Sequence, residues 1–204
     1  MPNDSAAILD TPLPGHRAHV CPWWIGWMLV LPGRRWLMDL DGLLRPVVEP
    51  GYRVLEVGAG TGFVTVPLAE QVGPTGRIWC VDIQARMLAT LKRRLRRRRL
   101  DDRLTTRLCE PNDLGVSDLA GTIDLAVLFH VLHEVPDPAR TLRQVAETLR
   151  PGGRVLLVEP KGHCSPELFA TQIRIALDLG LVRCDERIGP RPRLPLLALF
   201  ERRG

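Results

Sequence analysis

Two acids bracket a glycine-rich turn early in the chain. The stretch VLEVGAGTGF, residues 54–63, spaces Gly58, Gly60 and Gly62 two apart and carries Glu56 two residues before the first of them. Asp82 closes a second apolar run, RIWCVD, at 77–82. Glycine at such a turn lets a ligand approach the backbone, and a helix that follows offers unpaired N–H groups. The spacing departs from the dinucleotide fingerprint GxGxxG, because Phe63 stands where that pattern needs Gly or Ala. Glu56 suits a ligand with a cationic amino group and would repel a pyrophosphate. Asp82 can accept two ribose hydroxyl hydrogen bonds; its blander reading is a strand-end cap.

A second set of chemical groups follows. FHVLHEVPD, residues 129–137, holds His130, His133 and Glu134, and EPKGH, residues 159–163, holds Glu159, Lys161 and His163. Imidazole and carboxylate side chains can take a proton from an acceptor that must lose one. The blander reading makes His133 and Glu134 loop and helix-cap residues. Cys21, His133, His163 and Cys164 have no metal-ligand spacing, and no metal is expected.

These groups need elements to position them. RVLEVG (53–58), RIWCVD (77–82), RLTTRLC (103–109), IDLAVLF (123–129) and VLLVE (155–159) read as strands: short, apolar and bounded by turn residues. Between them, the patterning predicts helices over about 62–72, 84–100 and 138–149. RPGGR (150–154) reads as a turn. Ser165 caps a further helix to about Leu179, with Pro166 in its first turn. LVRCDERI and LPLLALFE read as two strands joined by GPRPR, with no helix between them. Strand–helix alternation implies an α/β, doubly wound, seven-stranded, mostly parallel sheet, and the last two strands should form an antiparallel C-terminal hairpin at one edge. In that fold, ligands bind in the crevice at the strand C-termini, where both chemical sets fall.

VLEVGAGTG, VDIQARML, CEPNDL, IDLAVLFHVLHEVPDP and LRPGGRVLLVEP resemble, in order and spacing, the class I S-adenosylmethionine-dependent methyltransferases. The likeness covers about residues 50–160 and is nearest to the small-molecule branch that includes quinone and arsenite methyltransferases. The resemblance implies the Rossmann-like fold of that family, S-adenosylmethionine as cofactor and a small-molecule methyl acceptor. By position, Glu56 would face the methionine amino group. The backbone at Gly58, Ala59, Gly60 and Gly62 would pass beside the methionine and ribose. Asp82 would hold the ribose, Ile83 and Met87 would lie against the adenine, and Glu110 would accept from its exocyclic amine. Phe129 and His130 would lie beside the sulfonium. Pro111 departs from the pattern, since it has no N–H to offer the adenine ring.

Four of the five tryptophans, Trp23, Trp24, Trp27 and Trp36, gather in HVCPWWIGWMLVLPGRRW, residues 19–36. Residues 1–49 read as a tail and a Trp-rich helical extension, followed by one domain over 50–204. The extension would act as an N-terminal helical lid that excludes water and walls the acceptor pocket with Cys21, Trp23, Trp24 and Trp27, beside Glu159 and His163. Two other readings stay open: glue against the sheet's helices, and a membrane-surface contact.

The 204 residues carry a net charge of +5, and much of the excess lies in LKRRLRRRRLDDR, residues 91–103. Leu88, Leu91 and Leu95 give that run an apolar stripe at helical spacing, so a solvated basic helix is the first reading. The alternative is an RNA or protein methyltransferase that docks its substrate through this basic helix, 91–103. Neither an NPPY-type loop nor a PC nucleophile follows the fourth strand, which weighs against a nucleic acid partner. Five scattered cysteines, with no CxxC pair, argue for reduced thiols. No secretory signal is recognised, and the nine apolar residues 23–31 fall short of the roughly 20 that cross a bilayer. The expected location is the cytoplasm.

Overall fold

The computed structural model describes residues 39–188 and 196–204. The expected N-terminal lid, with Cys21, Trp23, Trp24 and Trp27, lies outside the described residues. What is described of the extension is a short helix α1 (Leu40–Leu44), whose Leu40, Leu43 and Leu44 are buried in the core.

Seven strands form one sheet. In chain order they are β1 (Arg53–Val57), β2 (Arg77–Asp82), β3 (Leu104–Leu108), β4 (Ile123–Phe129), β5 (Leu149–Glu159), β6 (Leu181–Arg183) and β7 (Leu196–Arg202). Their spatial order is β3-β2-β1-β4-β5-β7-β6. The first five run parallel, and β7 lies antiparallel to both β5 and β6. The helices α2 (Thr65–Val72), α3 (Ala85–Arg97), α4 (Pro138–Thr148) and α5 (Pro166–Asp178) fill the connections. Two buried clusters cover the two faces of the sheet. One takes Leu68 of α2 and Leu91 and Leu95 of α3, the other Leu142 of α4 and Phe169 of α5. Central strands are apolar on both faces because helices cover both.

Local chemistry sets the helix starts. Asp137 accepts from the Arg140 N–H at 2.8 Å, and Ser165 accepts from the Leu168 N–H at 3.2 Å. Pro138 and Pro166 follow in the first turn, where a missing N–H costs little. In α3, Met87, Leu88, Leu91 and Leu95 are buried while Arg93, Arg96 and Arg97 are exposed, as are Arg98 and Arg99 just after it. The amphipathic reading of the basic run therefore matches its packing.

Three boundaries differ from the sequence reading. The RPGGR turn is part of β5, which starts at Leu149 and pairs with β4 through a register shift between Ile123 and Leu125. Glycine permits this: Gly152 sits at φ +74°, and a Cβ on Gly153 would lie 2.7 Å from the Ile123 carbonyl oxygen. The expected strand over LVRCDERI stops at Arg183. Asp185 ends it by accepting from the Leu199 N–H at 2.8 Å and pairing with Arg183 at 2.5 Å, so a side chain replaces the next rung of the ladder. Helix α2 begins at Thr65, because Gly62, at φ +87°, is still outside helical space.

Candidate active site

β1 is flanked by β2 and β4, so the chain's direction of travel across the sheet reverses there and opens a crevice at the strand C-termini. The glycine turn, Asp82, Phe129, His130 and Glu159 all stand at that end of the sheet.

Three glycines of the turn have positive φ: Gly58 at +70°, Gly60 at +53° and Gly62 at +87°. Their surroundings differ. A Cβ on Gly58 would lie 2.5 Å from a methyl of Val131, and one on Gly62 would lie 2.5 Å from a methyl of Leu91. Gly60 would meet nothing within 4 Å. Gly58 and Gly62 are thus small because protein packs against them, and Gly60 is small beside open space. Ala59 is buried.

Asp82 ties the turn together. Its Oδ2 accepts from the Gly60 N–H at 2.8 Å and its Oδ1 from the Gln84 N–H at 2.8 Å. An ionised carboxylate has about four acceptor positions, so each oxygen keeps capacity for a ligand hydroxyl. Burial raises the Asp82 pKa above its ordinary value, against the lowering effect of the two backbone donors.

Glu56 is the next-to-last residue of β1 and only 2% exposed. Its partners are the Thr65 hydroxyl and the Cys80 thiol, the latter at 3.5 Å. Among the described residues no ion pair offsets its charge. Desolvation therefore lifts its pKa from 4.5 to about 7, with a smaller push from Asp82. Thr65 and Cys80 give no signal in the sequence; only parallel pairing of β1 with β2 and the seating of α2 bring them to Glu56.

Ile83, just past β2, is among the few large apolar side chains left exposed among the described residues, at 38%. Met87 is buried at the start of α3. Glu110 is exposed in a tight turn in which it and Asp113 exchange backbone hydrogen bonds of 2.9 and 3.1 Å. Gln144 of α4 holds that turn, donating to the Asn112 carbonyl at 3.1 Å and accepting from the Leu114 N–H at 2.9 Å. The sequence reading did not single out Gln144.

His130 takes φ +57° directly after β4, and its ring stacks on Phe129 at 4.2 Å. Phe63, the residue that breaks the dinucleotide pattern, lies 6.1 Å from Phe129, centroid to centroid. The mouth of the crevice thus carries three rings in a row.

The groups after β4 and β5 meet. Glu159 is fully buried, and its Oε1 accepts from the His133 N–H at 3.0 Å. Its Oε2 lies 2.5 Å from His133 Nδ1. Glu134 Oε1 is 3.8 Å from His133 Nε2, and the exposed His163 ring is edge-on to His133 at 6.1 Å. Burial pulls the His133 pKa down, but the hydrogen bond and charge of Glu159, with that of Glu134, leave it above its ordinary value. Both oxygens of Glu159 are engaged by His133.

Residues 55–155 match the model of a methyltransferase domain family. The chain is 29% identical over 131 residues to a ubiquinone/menaquinone biosynthesis C-methyltransferase UbiE of Ralstonia nicotianae, covering 64% of this chain and 52% of that protein. A demethylmenaquinone methyltransferase of Geobacillus sp. is 29% identical over 119 residues, 58% of this chain and 50% of that protein. The chain therefore spans about half the length of the curated relatives it matches. Among solved structures, an S-adenosylmethionine-dependent methyltransferase from Aquifex aeolicus superposes with a TM-score of 0.76 at 19% identity, over 89% of this chain and 99% of that one. An Aeropyrum pernix fibrillarin with natively bound S-adenosyl-L-methionine has a TM-score of 0.59 at 23% identity, over 82% of this chain and 73% of that one. With the strand order, the glycine turn and the acid closing β2 all in place, this chain belongs to the class I S-adenosylmethionine-dependent methyltransferases.

Proposed function

We propose that the protein transfers the methyl group of S-adenosylmethionine to a small-molecule acceptor, in the cytoplasm. The observation that carries the cofactor side is Glu56, a buried carboxylate with no ion-pair partner among the described residues, on the strand that leads into the turn where Gly60 faces open space. An ammonium group there would meet a carboxylate already desolvated, and Gly60 would let the rest of the ligand pass close to the backbone. Asp82 has lone pairs for two ribose hydroxyls, exposed Ile83 would offer an apolar face for a base, and Glu110 would accept from its exocyclic amine. Phe129, stacked on His130, would line the reacting end.

The bound cofactor supplies a methyl group already activated on a sulfonium. The protein's own residues then have three tasks: to orient the acceptor in line with that methyl, to exclude water, and to take a proton where the acceptor carries one. A relative named as a C-methyltransferase of ubiquinone/menaquinone biosynthesis supports carbon as the receiving atom. Isothermal titration with S-adenosylmethionine and S-adenosylhomocysteine, then transfer of labelled methyl to 1,4-dihydroxynaphthalene, tests the reading. Absence of cofactor binding would overturn it.

A second reading is favoured by one feature: α3 contains no acid and, with the two residues after it, exposes Lys92, Arg93 and Arg96 to Arg99. RNA docking on that face predicts binding that falls steeply between low and high salt. The small-molecule reading predicts no RNA binding at physiological salt.

Asp82→Ala removes the acceptor for Gly60 and Gln84 N–H groups and, on this reading, the ribose anchor. Cofactor affinity is expected to fall by about 1.5–3 kcal/mol, the scale of hydrogen bonds to a charged group. Calorimetry giving wild-type affinity would rule out the ribose role.

A further inference from the structure

Three polar side chains close on one another inside the apolar core. Cys80 stands opposite Glu56 in the parallel register of β1 and β2, and its thiol sulfur lies 3.5 Å from Glu56 Oε2. Thr65, the first residue of α2, brings its hydroxyl within 3.9 Å of that sulfur and hydrogen-bonds the Glu56 carboxylate. None of the three is more than 2% exposed. α2 starts without a side-chain cap bond, so the Thr65 hydroxyl serves no helix end. An ionised carboxylate can only accept, so hydroxyl and thiol both donate to it. The other titratable group acting on Glu56 is Asp82, whose charge favours the protonated acid. Cys80 itself is held as a thiol, because burial and the Glu56 charge push its pKa up.

We propose that Thr65 and Cys80 are positioning residues for the cofactor: two neutral donors, from different elements, that hold the Glu56 carboxylate ionised and in place for the ligand's ammonium group. The proposal rests on the methyltransferase reading and adds to it the groups that prepare its buried acid. Neutral donors do what a cation cannot. A lysine or arginine beside Glu56 would favour the ionised form more strongly, but it would take the place of the ligand's own positive charge. A hydroxyl and a thiol engage two of the roughly four acceptor positions of a carboxylate and leave the rest open. Without them, desolvation acts unopposed and Glu56 keeps its proton to higher pH. A cationic ligand then binds only as that proton leaves to solvent, so binding releases up to one proton wherever the free protein holds it.

Titration of the Glu56 carboxyl needs no ligand. With ¹³C-labelled glutamate, its resonance, assigned by its loss in Glu56→Gln, is expected to titrate at about 7 in the wild-type protein. In Thr65→Val the midpoint is expected to rise by about one pH unit, the scale of one hydrogen bond to a carboxylate. In Cys80→Ala it should rise by less, since a thiol is the weaker donor. Thr65→Ser keeps the hydroxyl and should restore the wild-type midpoint. Calorimetry with S-adenosylhomocysteine should follow the same shift. Thr65→Val is expected to lose roughly 5- to 10-fold in affinity near pH 6.5 and less than about twofold near pH 9, where Glu56 is ionised in both proteins. The ligand's own amine titrates alike in every variant and cancels from the ratio. A merely structural role predicts the same loss at every pH. That uniform loss, or a Glu56 midpoint unmoved in the variants while the wild type binds cofactor, overturns the proposal. The same two readouts in Cys80→Ala decide it if Thr65→Val does not fold. A wild-type protein that binds no cofactor, while the Glu56 midpoint still moves in the variants, overturns the methyltransferase reading instead.

Discussion

Glu56→Gln is expected to make the ligand-free protein more stable and the cofactor complex weaker, two effects of opposite sign from one charge. Glu56 titrates near 7 in the folded chain, because burial disfavours its ionised form, and at 4.5 when unfolded. Between those values the folded state holds a proton that the unfolded state has lost. Wild-type stability therefore falls as pH rises through this window and levels off above it. At roughly 1.4 kcal/mol per pH unit, the full cost of ionising Glu56 in place is about 3 kcal/mol. The neutral Gln carries no such cost. Thermal or urea unfolding of both proteins should coincide near pH 4 and diverge to about that margin in favour of the variant by pH 8. Cofactor affinity should move the other way, falling by roughly 10- to 100-fold, the scale of a lost charge-assisted hydrogen bond. Wild-type binding should strengthen as pH rises through 7, as Glu56 becomes able to meet an ammonium group. A variant no more stable than wild type at pH 8 would show that Glu56 is better solvated than its burial implies.

The glycine turn gives a second contrast. Gly62→Ala is expected to cost about 2–5 kcal/mol of stability. Its Cβ would lie 2.5 Å from the end of Leu91, which is itself fully buried and has nowhere to move, at a φ of +87°. Gly60→Ala meets nothing within 4 Å and bears only the strain of φ +53°, about 1–2 kcal/mol. The ranking should reverse for binding. Gly60→Ala puts a methyl into the open space a ligand would occupy, and cofactor affinity should drop by at least an order of magnitude in a protein that still unfolds cooperatively. Urea denaturation beside calorimetry checks both. Normal affinity in Gly60→Ala would mean the ligand passes elsewhere.

Much of this was legible in the chain because its signals are local. Strands β1, β2 and β4 are apolar runs closed by Gly58, Asp82 and His130, so short-range pattern alone locates the strand ends where ligands bind. The Ser165 and Asp137 caps and the Leu88, Leu91, Leu95 stripe likewise follow from residues three or four apart. The β5 bulge was read as a turn for the same reason. Arg150-Pro151-Gly152-Gly153 has turn chemistry, and the pairing with β4 that overrides it comes from residues nearly thirty positions away.

What the sequence determined by itself is therefore the order of elements, the sheet's class and the chemical inventory at the strand C-termini. Each of these depends on side-chain type at fixed short spacing, which the backbone turns into a face or an end. What only the tertiary structure decided is the state of those groups. Glu56 is an ordinary acid on paper; its pKa is raised because the core desolvates it, against the lowering hydrogen bonds of Thr65 and Cys80. Glu159 and His133 stand 26 residues apart and become one unit only when β5 pairs with β4. Gly58, Gly60 and Gly62 look alike in sequence, yet Val131 and Leu91 fill two of the spaces and leave the third open. Desolvation, proton sharing and steric room depend on distances between segments remote in the chain, and those distances exist only once the sheet has formed.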